Sequence, residues 1–331
     1  MGVGVAVTLF VVSLVVTLVA AATFARRLDR LGAKFGLSEV SIGLLTAIAA
    51  DGPEVSSALV ALIKGAHDAS VGVIVGSNTF NLAAMLGVSA LLAGSVLVPR
   101  KTLLLEGTAG LVVTAIVIAL LLGWVPVAAA IVMLACVLAP YLLLVLGGYD
   151  LACRVGLRRV ARLVLEQDTG DAQAHHPPHA IPEFATHQQL VLMAVDITVI
   201  VGGSFGMVQA ALTLGTRWGL ASGLVGALIL GPLTSLPNAL TGVRLGRARR
   251  GAALVTETLN SNTINLVAGV ALPSLFVALT AKSAQNQLDL ALLAAAMVAT
   301  IGLLAARGGM RRPGAAIILA LYAGFIAATL S

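Results

Sequence analysis

Ten apolar stretches, each long enough to cross a lipid bilayer, follow one another along the chain at about 3–24, 38–63, 69–97, 103–123, 125–147, 188–214, 219–243, 251–279, 286–306 and 313–330. A spanning helix needs about 20 apolar residues. In hydrocarbon every backbone N–H and C=O must be satisfied within the protein, which leaves helices or closed barrels. Runs this continuous lack the short alternating pattern of barrel strands. The expected fold is an all-α membrane protein of ten transmembrane helices. Composition agrees, since charged residues make up only 10% of the chain, against roughly a quarter in soluble domains. The N-terminal run reads as a first helix rather than a signal peptide, because Arg26 and Arg27 follow it instead of preceding it. Cys136 within a span and Cys153 just beyond one argue against a disulfide framework.

The basic residues sort by side. Alternate connections, starting after the first span, carry Arg26, Arg27, Arg30 and Lys34; Arg100 and Lys101; Arg154, Arg158, Arg159 and Arg162; Arg244, Arg247, Arg249 and Arg250; and Arg307, Arg311 and Arg312. The opposite side holds only Lys64, Arg217 and Lys282. Positive charge marks the cytoplasmic face, so both termini are expected outside and the central loop 149–187 inside, in a membrane expected to be the bacterial cytoplasmic one. The net charge of +6 then reports topology, and a nucleic-acid partner is not expected.

The chain also repeats itself. SIGLLTAIAADGPEVSSAL and VGVIVGSNTFNLA in the first half answer to LVGALILGPLTSLPNALTG and TETLNSNTINLVA in the second. One offset, 184, matches Pro53 with Pro237, Ser77 with Ser261, Asn78 with Asn262, Thr79 with Thr263 and Asn81 with Asn265. Each half holds five spans, an odd number, so the second begins on the opposite side of the membrane. Two inverted five-helix repeats are expected, 1–148 and 188–331, joined by the linker 149–187. Such repeats place a binding site near the midplane, where the halves meet.

Polar residues concentrate at that level. Asp51 and Glu54 lie three apart in the second span, on one helix face. Carboxylates at such depth are costly and by default functional; the alternative is that they are protonated or paired structurally. Pro53 removes a backbone donor, so carbonyls around Ala47 to Ala50 are expected to lack helical partners. The seventh span repeats the break with Gly231, Pro232, Thr234, Ser235, Pro237 and Asn238. Ser77 and Asn81 share one stripe of the third span, and Ser261 and Asn265 one stripe of the eighth. Ser, Thr and Asn also glue membrane helices together, so singly each reads either way. Together they are an oxygen donor set with no buried Lys or Arg to balance the acids. Hard cations such as Ca²⁺ favour 6–8 oxygens.

GPE followed by GSNTFN, and TSLPN followed by NSNTIN, resemble the paired α-repeats of the sodium/calcium exchangers, within the cation/calcium antiporter superfamily. The resemblance covers 40–95 and 223–278. It implies a secondary active antiporter working by alternating access, with Ca²⁺ or a related hard cation leaving in exchange for Na⁺ or H⁺. It implies ligands from the second, third, seventh and eighth spans, here Asp51, Glu54, Ser77, Asn81, Thr234, Ser235, Asn238, Ser261 and Asn265, with the carbonyls of Ala47 and Gly231 as additions. The first and sixth spans are implied to slide across this core. No cofactor and no obligate protein partner are implied beyond inorganic cations and the bilayer.

The sequence departs from the family's pattern of T-S-x-P-E in both repeats. Ala50 and Asp51 replace Thr and Ser in the first; Asn238 replaces the acid of the second; Asn260 replaces the Gly of GSN. The carboxylate count stays at two, with both on one repeat. Glu257, on the stripe of Ser261 and Asn265, either restores an acid to the second half or is an interfacial residue near Arg249 and Arg250. Asp196 in the sixth span is either a coupling residue or a hydrogen-bonding partner for a neighbouring helix. In the linker, 151–166 reads as a basic amphipathic helix on the inner leaflet, and His175, His176, His179 and His187 as a solvated loop. Two other functions stay open: a proton-coupled transporter of another substrate on the same scaffold, and a non-transporting membrane regulator. No nucleophile–base constellation or phosphate loop is present, and an enzyme is not expected.

Overall fold

The computed structural model describes residues 1–35, 47–154, 183–281 and 283–330. These residues are overwhelmingly helical. Helix α1 is Val3–Lys34, α2 is Gly52–Ile63, α3 is His67–Ala93, α4 is Arg100–Leu121 and α5 is Val127–Arg154. The second half gives α6 at Glu183–Arg217, α7 at Ser222–Thr234, α8 at Leu236–Arg247, α9 at Gly251–Leu266, α10 at Ala284–Arg307 and α11 at Arg312–Leu330.

Seven of the described helices are long and apolar enough to cross a membrane, and eight if the bent pair α7–α8 is one span. The expected second span is described only from residue 47 onward and contributes the short helix α2. The expected eighth is α9, made less apolar by its Thr, Asn and Glu residues. The proposed amphipathic helix over 151–166 lies, beyond Arg154, outside the described residues, as do His175, His176 and His179; His187, expected in the same loop, is instead helical, in the second turn of α6.

Two expected spans end early. The third stops at Ala93, where Gly94 takes a left-handed φ of 83° that few other residues adopt. The chain then forms strand β1, Ser95–Leu97, antiparallel to β2, Gly309–Arg311, with Val96 opposite Met310. This clip ties the end of α3 to the end of α10. The eighth span passes from α9 through Val267–Ala271 into a single 3₁₀ turn at Pro273–Leu275.

Helix α3 is the centre of the molecule, with 89% of its most apolar window buried, against 22% for α1. Helix α1 turns Val5, Val12, Val15 and Val19 outward, as a lipid-facing helix should. It runs antiparallel to α6: Arg217 at the end of α6 donates to the Met1 carbonyl, while Arg27 near the end of α1 pairs with Asp196. Close contact between α3 and α7 depends on missing side chains. A Cβ on Gly76 would strike the Ala227 backbone, and one on Gly231 would lie 2.7 Å from Ser77 N. The two backbones therefore meet beside the polar residues of both helices.

The helices also widen symmetrically. A π-helical stretch at Leu82–Val88 follows Asn81, and another at Val267–Ala271 follows Asn265 by one residue. π turns are rare and concentrate at functional positions. A third, Val225–Leu230, lies in α7; its counterpart under the 184 offset falls at 41–46, outside the described residues.

Gly76→Val is expected to destabilise the protein by about 1–3 kcal/mol or more through overpacking, read as a lowered melting temperature in detergent. Gly202→Ala, where nothing lies within 4 Å of the added carbon, is expected to leave that temperature unchanged.

Candidate functional site

The site begins with two matching breaks. In the first repeat, helix covers 47–50, Asp51 turns with φ −78° and ψ −2°, and α2 starts with Pro53 in its first turn. In the second, Ser235 turns with φ −83° and ψ 3°, Pro237 lies in the first turn of α8, and α7 and α8 bend by 47°. Residues 51 and 235 are again 184 apart. Each proline lacks the N–H that would have bonded the carbonyl four residues back, which is Ala49 in one repeat and Leu233 in the other. The expectation of a free carbonyl at Ala47 is therefore corrected. Ala47 O accepts from Asp51 N at 3.0 Å, and Gly231 O accepts from Ser235 N at 3.2 Å. Both carbonyls serve the last helical turn before the break.

Around these breaks α2, α3, α8 and α9 bring one polar cluster together. Asp51, Glu54, Ser77, Asn81, Thr234, Ser235 and Asn265 have no exposed surface, and Asn238 and Ser261 have 2% each. Asn238 Nδ2 donates to Asp51 Oδ1 at 2.8 Å and to Glu54 Oε1 at 3.1 Å, and lies 3.2 Å from Ser261 Oγ. Ser261 donates to Asp51 Oδ1 at 2.6 Å and accepts from Asn81 Nδ2 at 3.0 Å. Ser77 and Thr234 instead donate to carbonyls of their own helices, Ile74 and Leu230.

A second set of bonds joins the repeats. Asn78 Nδ2 donates to Asn262 O and Asn262 Nδ2 to Asn78 O, each at 3.1 Å. Asn265 donates to Asn78 Oδ1 at 3.2 Å and Asn81 to Asn262 Oδ1 at 3.4 Å. Exchanging the repeats maps each pair of bonds onto itself. Asn78 and Asn262, matched in the sequence but absent from the expected ligands, are thus the cross-link of the two halves.

What the cluster leaves open is acidic and oxygen-rich. Asp51 Oδ2, Glu54 Oε2, Asn81 Oδ1, Asn265 Oδ1 and Ser235 Oγ are buried and find no hydrogen-bond partner among the described residues. Ser57 Oγ, three residues after Glu54 on the same face of α2, is in the same condition. Buried polar atoms are ordinarily satisfied. Here the unsatisfied ones are all oxygens, and neither acid has a Lys or Arg partner among the described residues.

The remaining candidates separate. Asp196 stands apart from the cluster: Oδ2 takes a 2.8 Å ion pair from Arg27 and Oδ1 a 3.0 Å bond from Thr23, both on α1. It serves the α1–α6 contact. Glu257 lies within electrostatic reach of both Asp51 and Arg250, between the cluster and the basic start of α9. Glu106 was missed in the sequence. It is buried on α4 and accepts from Tyr141; its signal was an acid within the span 103–123.

The sequence profile of the family described as "Sodium/calcium exchanger protein" matches residues 5–148 and 188–330. The chain belongs to this family. Solved structures share the fold. The sodium-calcium exchanger NCX_Mj, soaked with Na⁺ and Sr²⁺, superposes with a TM-score of 0.60 at 19% identity over 98% of this chain and 99% of that one. The H⁺/Ca²⁺ exchanger CAX gives 0.72 at 13% identity over 98% and 86%. Among curated proteins, "Putative antiporter CaxA" of Alkalimonas amylolytica is 42% identical over 64 residues, 19% of this chain. That match spans only 20% of the relative's length.

If the paired asparagines hold the repeats together, a double-mutant cycle with Asn78→Ala and Asn262→Ala measures it. A coupling of about 0.5–3 kcal/mol is expected for groups in one hydrogen-bond network, and additive losses would show that the two act separately.

Proposed function

We propose that this exchanger-family protein is a secondary active cation antiporter. It moves Ca²⁺ or a related hard cation outward across the bacterial cytoplasmic membrane in exchange for H⁺ or Na⁺. The observation that carries the reading is the buried set of unpartnered oxygens around Asp51 and Glu54. Asp51, Glu54, Asn81, Ser235 and Asn265 bind the cation, and Asn238 joins them when its amide turns Oδ1 inward. Ser77, Thr234 and Ser261 lie in the same buried cluster. The supply of oxygen, with nitrogen donors only from amides, favours a hard cation over a soft one.

Charge sets the stoichiometry. Two carboxylates on one repeat make a site of charge −2, which one divalent cation or two monovalent ions neutralise. Exchange is accordingly one divalent cation for two monovalent ones, with no net charge moved. The distribution of Arg and Lys supports termini outside and the linker inside.

The test is uptake of radiolabelled Ca²⁺ into proteoliposomes under imposed H⁺ and Na⁺ gradients. Uptake is expected with one gradient, unaffected by membrane potential, and reduced at least about 100-fold in Glu54→Gln, about 3 kcal/mol of lost binding. If Ca²⁺ neither moves nor binds and Glu54→Gln changes nothing, the reading fails. Asn238→Asp adds a third charge and is expected to make exchange sensitive to membrane potential.

A further inference from the structure

Outside the cation cluster, one buried carboxylate faces a group whose hydrogen count does not suit it. Glu106 on α4 and Tyr141 on α5 are both buried. Tyr141 Oη lies 2.9 Å from Glu106 Oε2 and 2.7 Å from Asn260 Oδ1 on α9. A phenol carries one hydrogen, and here it stands between two acceptors.

Two arrangements satisfy all three groups. In one, Glu106 carries a proton and donates to Tyr141, which donates to Asn260 Oδ1. In the other, Glu106 is ionised and accepts from Tyr141, and the Asn260 amide turns so that Nδ2 donates to the phenol oxygen. Protonation at Glu106 therefore favours one orientation of the half-buried Asn260 amide. The proton is exchanged with water, and no other bond is made or broken.

The surroundings leave the choice to these three residues. Of the helices packed against α4, α5 presents Tyr141, and α9 presents Asn260 with Glu257 three residues earlier and Arg250 at its start. Helix α10 carries Asp289 near its beginning and Arg307 at its end, and the Val267–Ala271 stretch carries no titratable residue. None of these charged groups pairs with Glu106 among the described residues.

Position 260 gives the arrangement its consequence. Its counterpart in the first repeat is Gly76, where a side chain would enter the Ala227 backbone. In the second repeat the side chain exists and reaches α5. The next residue is Ser261, which donates to Asp51.

We propose that Glu106, Tyr141 and Asn260 form a proton-binding site one residue along α9 from Ser261, and that its protonation sets the orientation of the Asn260 amide. The effect on transport rests on the antiport reading; the site does not. Helix α4 enters from Arg100, six residues or about 9 Å before Glu106, so the site lies on the side of the arginine-rich connections.

Infrared difference spectra between acid and alkaline buffer, taken on the full chain in liposomes, test it directly. A protonated-carboxyl band is expected that disappears in Glu106→Gln, persists in Glu54→Gln, and moves in frequency in Tyr141→Phe and Asn260→Gly. An unchanged spectrum in Glu106→Gln, or a Glu106 band indifferent to both partner substitutions, overturns the proposal. In Ca²⁺ uptake, Tyr141→Phe is expected to shift the pH of half-maximal rate by about one unit, a tenfold change in proton affinity, and Glu106→Gln to remove that pH step. A uniform loss of rate with the profile unmoved overturns the link to transport. Absence of Ca²⁺ movement in the unsubstituted protein sinks the antiport reading and leaves the infrared result standing.

Discussion

Two carboxylates inside a membrane protein, with no basic side chain against them among the described residues, impose the condition that the rest of this structure meets. Burying an ionised group costs several kcal/mol even after the protein relaxes around it. The cluster offsets part of that cost with hydrogens from Asn238 and Ser261, and it directs them to one oxygen of each acid. Asp51 Oδ2 and Glu54 Oε2 keep their demand. A lysine in place of Asn238 would satisfy both acids permanently. An amide does not, because it has a donor end and an acceptor end and exchanges them by one rotation.

Holding four broken or widened helices around such a cluster requires a scaffold that is indifferent to charge. The bonds that join Asn78, Asn81, Asn262 and Asn265 are neutral, and they obey the exchange of the two repeats. Individual hydrogen bonds of this kind in membranes contribute about 1 kcal/mol, so their value lies in fixing the register of α3 against α9. The close approach of α3 and α7 at Gly76 and Gly231 fixes the other crossing. The outer pair, α1 and α6, is joined by its own ion pair between Arg27 and Asp196, independent of the central cluster. That pairing explains why an acid in the sixth span is compatible with a purely structural role.

Much of this was legible in the sequence, because apolar length and polar repetition are local signals. The 184-residue offset located both breaks, and of the polar residues matched by it Asn78, Asn81, Asn262 and Asn265 meet across the repeats, while Thr79 bonds its own helix. What the sequence could not resolve was direction and partnership. Ser77 and Ser261 share a motif position, yet one bonds its own helix and the other bonds Asp51. Asp196 became intelligible only with Arg27, 169 residues away. Glu106 carried a signal as plain as that of Asp196, but it belongs to no repeated motif, and motif matching passes over such residues. The strand pair at Val96 and Met310 is too short for any alternation to announce it.

The departures from the family's motif acquire a common logic once contacts are known. Asn238 stands where the second acid is expected, and it bonds Asp51, the acid that stands where a serine is expected. The amide and the acid at the two departing positions are neighbours, and both carboxylates of the cluster lie on the first repeat. Asn260 stands where a glycine is expected, and it bonds Tyr141, which in turn bonds Glu106. Here too the side chain that departs from the motif has a partner. Left without its partner, the buried Asn238 amide would cost about 1–3 kcal/mol. These pairings avoid that penalty, and a site that repeats its backbone carries different side-chain contacts in its two halves.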